Sequence, residues 1–178
     1  TGIIEADAEP NTILIADPDS GHALTIGTDG GSSTTDSRFE EIGGPGSASI
    51  LKVGAGTLEL TGDSTYSGGT FIDGGTVLAN AQPGDAALGL GPVIVGSGAT
   101  LGGVGDIIGD TTVESGGTLA PGNSIDAMST GAVDFLTGST LAIEVGAPDT
   151  SPIADQLAAA GAVALAGTLD VTYLGGFA

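Results

Sequence analysis

Residues 56–61, Gly56-Thr57-Leu58-Glu59-Leu60-Thr61, contain a short pattern that returns along the whole chain: a glycine-containing turn, a threonine, then an aliphatic residue. It recurs as Gly75-Thr76-Val77, Ala99-Thr100-Leu101 (after Gly98), Gly117-Thr118-Leu119, Ser139-Thr140-Leu141 (after Gly138) and Gly167-Thr168-Leu169. The aliphatic positions lie 19, 24, 18, 22 and 28 residues apart. Recurrence near 20 residues is the mark of a solenoid, whose units bury their apolar faces only against each other. Within each unit the local signal is β. Thr57–Thr61, Thr140–Val145 and Thr168–Thr172 alternate polar and aliphatic side chains, which is the period of a half-buried strand. Turn clusters such as Ser67-Gly68-Gly69, Asp73-Gly74-Gly75 and Ser115-Gly116-Gly117 punctuate the strands. The Ala-rich stretch Ala154–Leu165 contains Gly161 and has no capping box, so it allows at most a short turn of helix.

A hairpin meander gives no reason for a near-constant period. The expected fold class is therefore all-β, a single-stranded parallel β-helix of about 6–8 coils, stacked about 4.8 Å apart. Leu58, Val77, Leu101, Leu119, Leu141 and Leu169 are expected to form one inward ladder, and the threonines before them an outward one. Ala23-Leu24-Thr25-Ile26 reads as an earlier, divergent coil. Two stretches, 29–46 and 146–164, read as excursions from the rod, where solenoids tend to carry function.

Composition supports this and removes other classes. The 178 residues include 34 Gly, no Cys, no Trp, two Tyr and four Phe. Such a core must stack small aliphatic side chains. Arg38 and Lys52 are the two basic residues against 22 acidic ones, for a formal charge of −20. That balance excludes nucleic acid and anionic membrane surfaces as partners, since both require clustered cations. It also disfavours chemistry that stabilises developing negative charge with cations. The lack of Cys removes disulfides, thiol catalysis and the usual zinc sites. The chain starts at Thr1 and reads as an excised segment, with targeting information expected elsewhere.

A family resemblance rests on a longer run. Ile50-Leu51-Lys52-Val53-Gly54-Ala55-Gly56-Thr57-Leu58-Glu59-Leu60-Thr61-Gly62 continues through Ser64-Thr65-Tyr66-Ser67-Gly68-Gly69-Thr70 to Ile72-Asp73-Gly74-Gly75-Thr76-Val77. It resembles the passenger-associated transport repeat of Gram-negative autotransporters. Further on, Ala120-Pro121-Gly122-Asn123-Ser124-Ile125, Ala154-Asp155-Gln156-Leu157 and Gly167-Thr168-Leu169-Asp170-Val171 follow in the family's order. The resemblance implies a right-handed β-helical passenger stem in residues 50–178 with an autochaperone-like C-terminal region, preceded by divergent coils and an excursion loop in 1–49. It implies a stem that promotes folding and secretion, displayed on or released from the cell surface. An outer-membrane β-barrel outside this segment is the implied partner. The alternative is an adhesin segment that binds host or matrix ligands through 29–46 or 146–164.

The residues that could carry chemistry each have a simpler reading. Gly62-Asp63-Ser64 is similar to a serine-protease nucleophile turn, but His22 is the one available base and lies two or more coils away. Asp17-Pro18-Asp19-Ser20-Gly21 begins like a calcium loop, and only Asp29 follows with a further carboxylate. Glu40 and Glu41, with Asp36 nearby, would make an acid/base pair, but adjacent strand residues point to opposite faces. The threonine ladder as an ice-binding array lacks a doubled Thr-x-Thr row. The expectation is a protein that is not an enzyme, with no catalytic, cofactor or metal residues, whose acidic excess keeps a repetitive rod soluble.

Overall fold

A computed structural model describes residues 3–6, 12–16, 22–27, 30–35, 37–42, 48–147 and 154–174. Strands β1 (Ile3–Ala6) and β2 (Thr12–Ala16) come first and pair antiparallel. Strands then recur coil by coil. The first set is β3 (His22–Ile26), β4 (Ser33–Thr35) and β5 (Arg38–Ile42), and the second is β6 (Ala48–Lys52) and β7 (Thr57–Leu60). Next come β8 (Thr70–Ile72) and β9 (Gly75–Ala79), then β10 (Val93–Val95), β11 (Ala99–Gly103) and β12 (Asp106–Ile107). They are followed by β13 (Thr111–Val113), β14 (Thr118–Pro121) and β15 (Ala127–Thr130), and by β16 (Val133–Phe135), β17 (Thr140–Val145) and β18 (Gln156–Ala159). The last pair is β19 (Val163–Leu165) and β20 (Thr168–Tyr173).

Equivalent strands of successive coils pair in parallel. One sheet runs β3-β6-β8-β10-β13-β16-β19 and a second runs β4-β7-β9-β11-β14-β17-β20. The third face consists of β1-β2-β5 at one end and β12-β15-β18 at the other. Between them, residues 64–66 and Ala86 continue the stacking. The Thr65 N–H donates to Phe39 O at 2.8 Å, the Ser64 N–H to Ala86 O at 2.8 Å, and Ala86 bridges Asp106 in parallel. The architecture is a parallel β-helix, with no helix among the described residues.

The inward ladder read from the sequence holds rung by rung. Leu58 pairs with Val77, Val77 with Leu101, Leu101 with Leu119, Leu119 with Leu141, and Leu141 with Leu169. The threonines Thr57, Thr76, Thr100, Thr118, Thr140 and Thr168 stack in the same register on the outer surface. Along β6, Ala48, Ile50 and Lys52 are buried while Ser49 and Leu51 face outward, the alternation of a sheet with one wet face.

Two details go beyond the sequence reading. Ala154–Leu165 forms no helical turn: it supplies β18 and β19, with Ala158 opposite Ser129 and Ala159 opposite Thr130. Alanine's helix preference is a fraction of a kcal/mol per residue, and four docked strand positions outweigh it. The ladder also does not stay buried to its end. Leu58 to Leu119 are enclosed, Leu141 is partly covered, and Leu169 is 62% exposed. Leu165 is 70% exposed for the same reason, because β19 and β20 lie at the outer edge of their sheets.

This gradient sets an order of substitution costs. Leu119→Asp places an unpaired charge in an enclosed rung and is expected to cost about 4 kcal/mol, whereas Leu169→Asp costs less than about 1 kcal/mol. Leu141→Asp falls between. Urea unfolding of the three variants checks the order.

Candidate functional site

With aliphatic rungs so alike, the departures from them show where the coil is specialised. Lys52 is the first. The alternation Ile50-Leu51-Lys52 turns its side chain inward, between Ile26 on one coil and Ile72 on the next. It is 1% exposed. Its ammonium donates to Val53 O at 2.9 Å, Gly54 O at 3.0 Å and Gly74 O at 3.0 Å. An ammonium has three donors, and all three are met by backbone carbonyls at the corner between the first two sheets. Burial holds its pKa below the usual lysine value. Gly54 is required at this corner: its φ is +74°, and a Cβ there would stand 2.0 Å from Gly27 O.

Tyr66 is the second departure. It is fully buried, packs edge-on against Phe39 with ring centroids 6.4 Å apart, and shares a 2.6 Å hydrogen bond with the Thr70 hydroxyl. Thr70 Oγ1 donates onward to Leu88 O at 3.0 Å. Burial pushes the Tyr66 phenol well above its ordinary range.

The acidic side chains form a third group, and many bond to a neighbouring coil. Glu41 accepts from the Ser67 hydroxyl at 2.7 Å and from the Ser67 and Ala48 N–H groups. Glu59 accepts from Asn80 at 2.8 Å and Thr34 at 2.9 Å. Asp63 takes the Ala86 N–H and Asp110 the Ala132 N–H, each at 2.9 Å. Asp106 accepts from the Ser129 hydroxyl and from the Gly84 N–H. The carboxylates of Glu59 and Asp106 are held below their ordinary pKa by these donors, Asn80 foremost for Glu59 and Ser129 for Asp106.

The excursion after β17 is narrower than the sequence suggests, since 156–159 and 163–164 are strand positions. Its base is closed. Val145 bridges Ala154 antiparallel, and the Asp155 N–H donates to Glu144 O at 2.8 Å. The buried Asp155 carboxylate takes the Glu144 N–H at 2.7 Å and the Asp126 N–H at 3.0 Å. Likewise 29–46 is not one loop, because β4 and β5 lie within it.

The catalytic candidates do not converge. Ser64 is 1% exposed and its Oγ accepts the Phe39 N–H at 3.1 Å, on the third face, while His22 sits on β3 opposite Ala48 in the first sheet. Glu40 is ion-paired with Arg38, and Glu41 is bound to Ser67. Asp17, Asp19, Asp29 and Asp36 lie outside the described residues. Among the described residues no group of three or more His, Cys, Asp or Glu converges as metal ligands do. The roles of Lys52, Tyr66 and Asp155 were missed at the sequence level. The available signal for Lys52 was a charged residue on the same face of a strand as Ile50. The chemistry this arrangement supports is stacking and display.

Residues 50–79 match the passenger-associated transport repeat family. The chain is also 36% identical over 163 residues to the adhesin BmaC autotransporter of Brucella suis biovar 1 (strain 1330). That match takes in 86% of this chain and 5% of the relative, so the chain spans about one-twentieth of that protein's length. The matched repeat begins in β6 and ends with β9, and so holds both Lys52 and Tyr66.

The inter-coil carboxylates give a pH dependence of known sign. A carboxylate with a depressed folded pKa adds stability above its unfolded value, and the contribution is lost as pH falls through the folded value. Asp106→Asn is therefore expected to be less stable than the parent at neutral pH. The gap should close below about pH 4. Melting temperatures of the two proteins across pH check this, the difference being read so that general charge repulsion cancels.

Proposed function

We propose that this chain is a segment of an autotransporter passenger displayed at the cell surface, and that it serves there as a non-catalytic β-helical stem whose coil-on-coil folding supports export. The observation that carries the reading is the unbroken parallel register from β4 to β20. Each coil leaves a row of amides, carbonyls and aliphatic side chains that only the next coil satisfies, so folding proceeds by addition and each added coil releases free energy. The exposed apolar edge at β19 and β20 is a further surface of this kind. In the complete protein the partner at the membrane is an outer-membrane β-barrel, as the family implies. Ser64 and Glu41, the side chains most like catalytic groups, are committed to backbone and hydroxyl partners, which supports a non-enzymatic segment.

The test places Leu119→Asp in the full-length protein. Surface display, read by antibody on intact cells, is expected to fall at least about ten-fold relative to Leu90→Asp, a half-exposed position within the rod, at equal expression. Equal display of the two variants overturns the stem reading.

A second reading has its own observation. The chain ends flanking residues 148–153 are tied together by Asp155 and by the Val145–Ala154 bridge, so the sequence between them can vary without disturbing the coil, and the relative is named an adhesin. Replacing residues 148–153 with a Gly-Ser linker is expected to change stability by less than about 0.5 kcal/mol. If the loop is the adhesive element, the same replacement abolishes binding to immobilised extracellular matrix; retained binding removes it from that role.

A further inference from the structure

The inward rows of the first sheet are almost interchangeable. Lys52 sits in the row Ile26–Lys52–Ile72–Val95–Val113–Phe135–Leu165. Side chains alternate with a period of two, so shifting β6 by two residues against β8 keeps every aliphatic residue inside. Dispersion and burial barely distinguish that shifted pairing from the native one, because one aliphatic contact replaces another. The other inward polar groups do not distinguish it either. Thr70 bonds to Tyr66, four residues before it, and to Leu88 of its own coil, and Thr111 bonds to Thr130 of its own, so none of these bonds links β6 to β8.

Lys52 differs. Two of its three bonds, to Val53 O and Gly54 O, belong to its own corner and move with the strand. The third reaches Gly74 O on the next coil. A two-residue shift displaces that carbonyl by about 6.6 Å, beyond any hydrogen bond. One ammonium proton and one corner carbonyl would then be stranded in an enclosed site. Gly27 closes the site from the other side, since a Cβ there would lie 3.4 Å from the Lys52 Nζ and 2.5 Å from Val53 O. We infer that Lys52 is the register key of the stack, a buried cation retained because its bond to Gly74 O selects one alignment of β6 on β8 from the alternatives that aliphatic packing tolerates. Buried polar groups fix register in this way in other repetitive assemblies. The inference holds whether the coil serves as stem or as adhesin.

Disulfides serve as rulers, in a chain that has no native cysteine. Leu51 and Phe71 face outward in register, so the Leu51→Cys/Phe71→Cys pair reports the native alignment. Leu51→Cys/Asp73→Cys and Val53→Cys/Phe71→Cys report shifts of two residues in either direction. In the native register their Cα atoms are about 8 Å apart, beyond the roughly 7 Å a disulfide spans. In the parent background only the first pair is expected to oxidise. With Lys52→Met, which keeps the apolar stem and removes the ammonium, the shifted pairs are expected to cross-link at least about ten-fold more than in the parent. An unchanged pattern in folded Lys52→Met overturns the inference. If Lys52→Met does not fold, Lys52→Ala is refolded in potassium chloride and in tetramethylammonium chloride at equal ionic strength. Potassium fits a cage of carbonyls and the bulky ion does not, so the native cross-link is expected to recover in potassium alone. The same result in both salts, failure included, overturns the inference.

Discussion

No coil of this protein can satisfy its own backbone. Each strand is two to six residues long and carries amide and carbonyl groups that point along the rod, towards the coils before and after. Those groups are costly to leave unpaired next to an apolar interior, and the aliphatic ladder is equally unsatisfied alone. Everything else follows from this dependence: the constant period, the parallel register, and the need for corners tight enough to let successive backbones lie in contact. Glycine at the Gly54 corner is one expression of it, because a side chain there would occupy the space of Gly27 O.

The same dependence explains how so acidic a chain stays compact. A formal charge of −20 opposes a dense rod, yet Glu41, Glu59, Asp63, Asp106, Asp110 and Asp155 turn part of that charge to use by accepting hydrogen bonds across coils. Their donors are mostly backbone N–H groups and hydroxyls, so the stitching needs no cations. That is consistent with a sequence holding two basic side chains, one of them sealed inside and the other paired with Glu40.

Much of the fold was legible because Gly-Thr-aliphatic repeats report both period and face. Leu58, Val77, Leu101, Leu119, Leu141 and Leu169 could be aligned from spacing alone, since every coil has to return to the same point. Burial along that ladder was not legible. Leu119 and Leu169 have the same local pattern, and only their place in the stack makes one enclosed and the other exposed. Ala154–Leu165 was ambiguous because alanine suits either state and the deciding contacts, with Ser129 and Thr130, come from a distant part of the chain. The specialised residues divide in the same way. Lys52 could be placed inside from its alternation with Ile50, whereas its link to Gly74 depends on how two corners stack. The Asp155 clamp joins two motifs, at 126 and 155, whose contact no local pattern announces.

Confinement of the two basic side chains has a consequence for proteolysis. Trypsin-like proteases need an accessible lysine or arginine in a segment that can be drawn out into their active site. Lys52 has its ammonium locked among three carbonyls, and Arg38 lies within β5, whose backbone is paired with β2. Both scissile bonds are thus withheld unless a coil unstacks, and the rest of the chain offers this protease class no cleavage site at all. The economy of cations that shapes the interior also makes the rod a poor substrate for trypsin-like proteases.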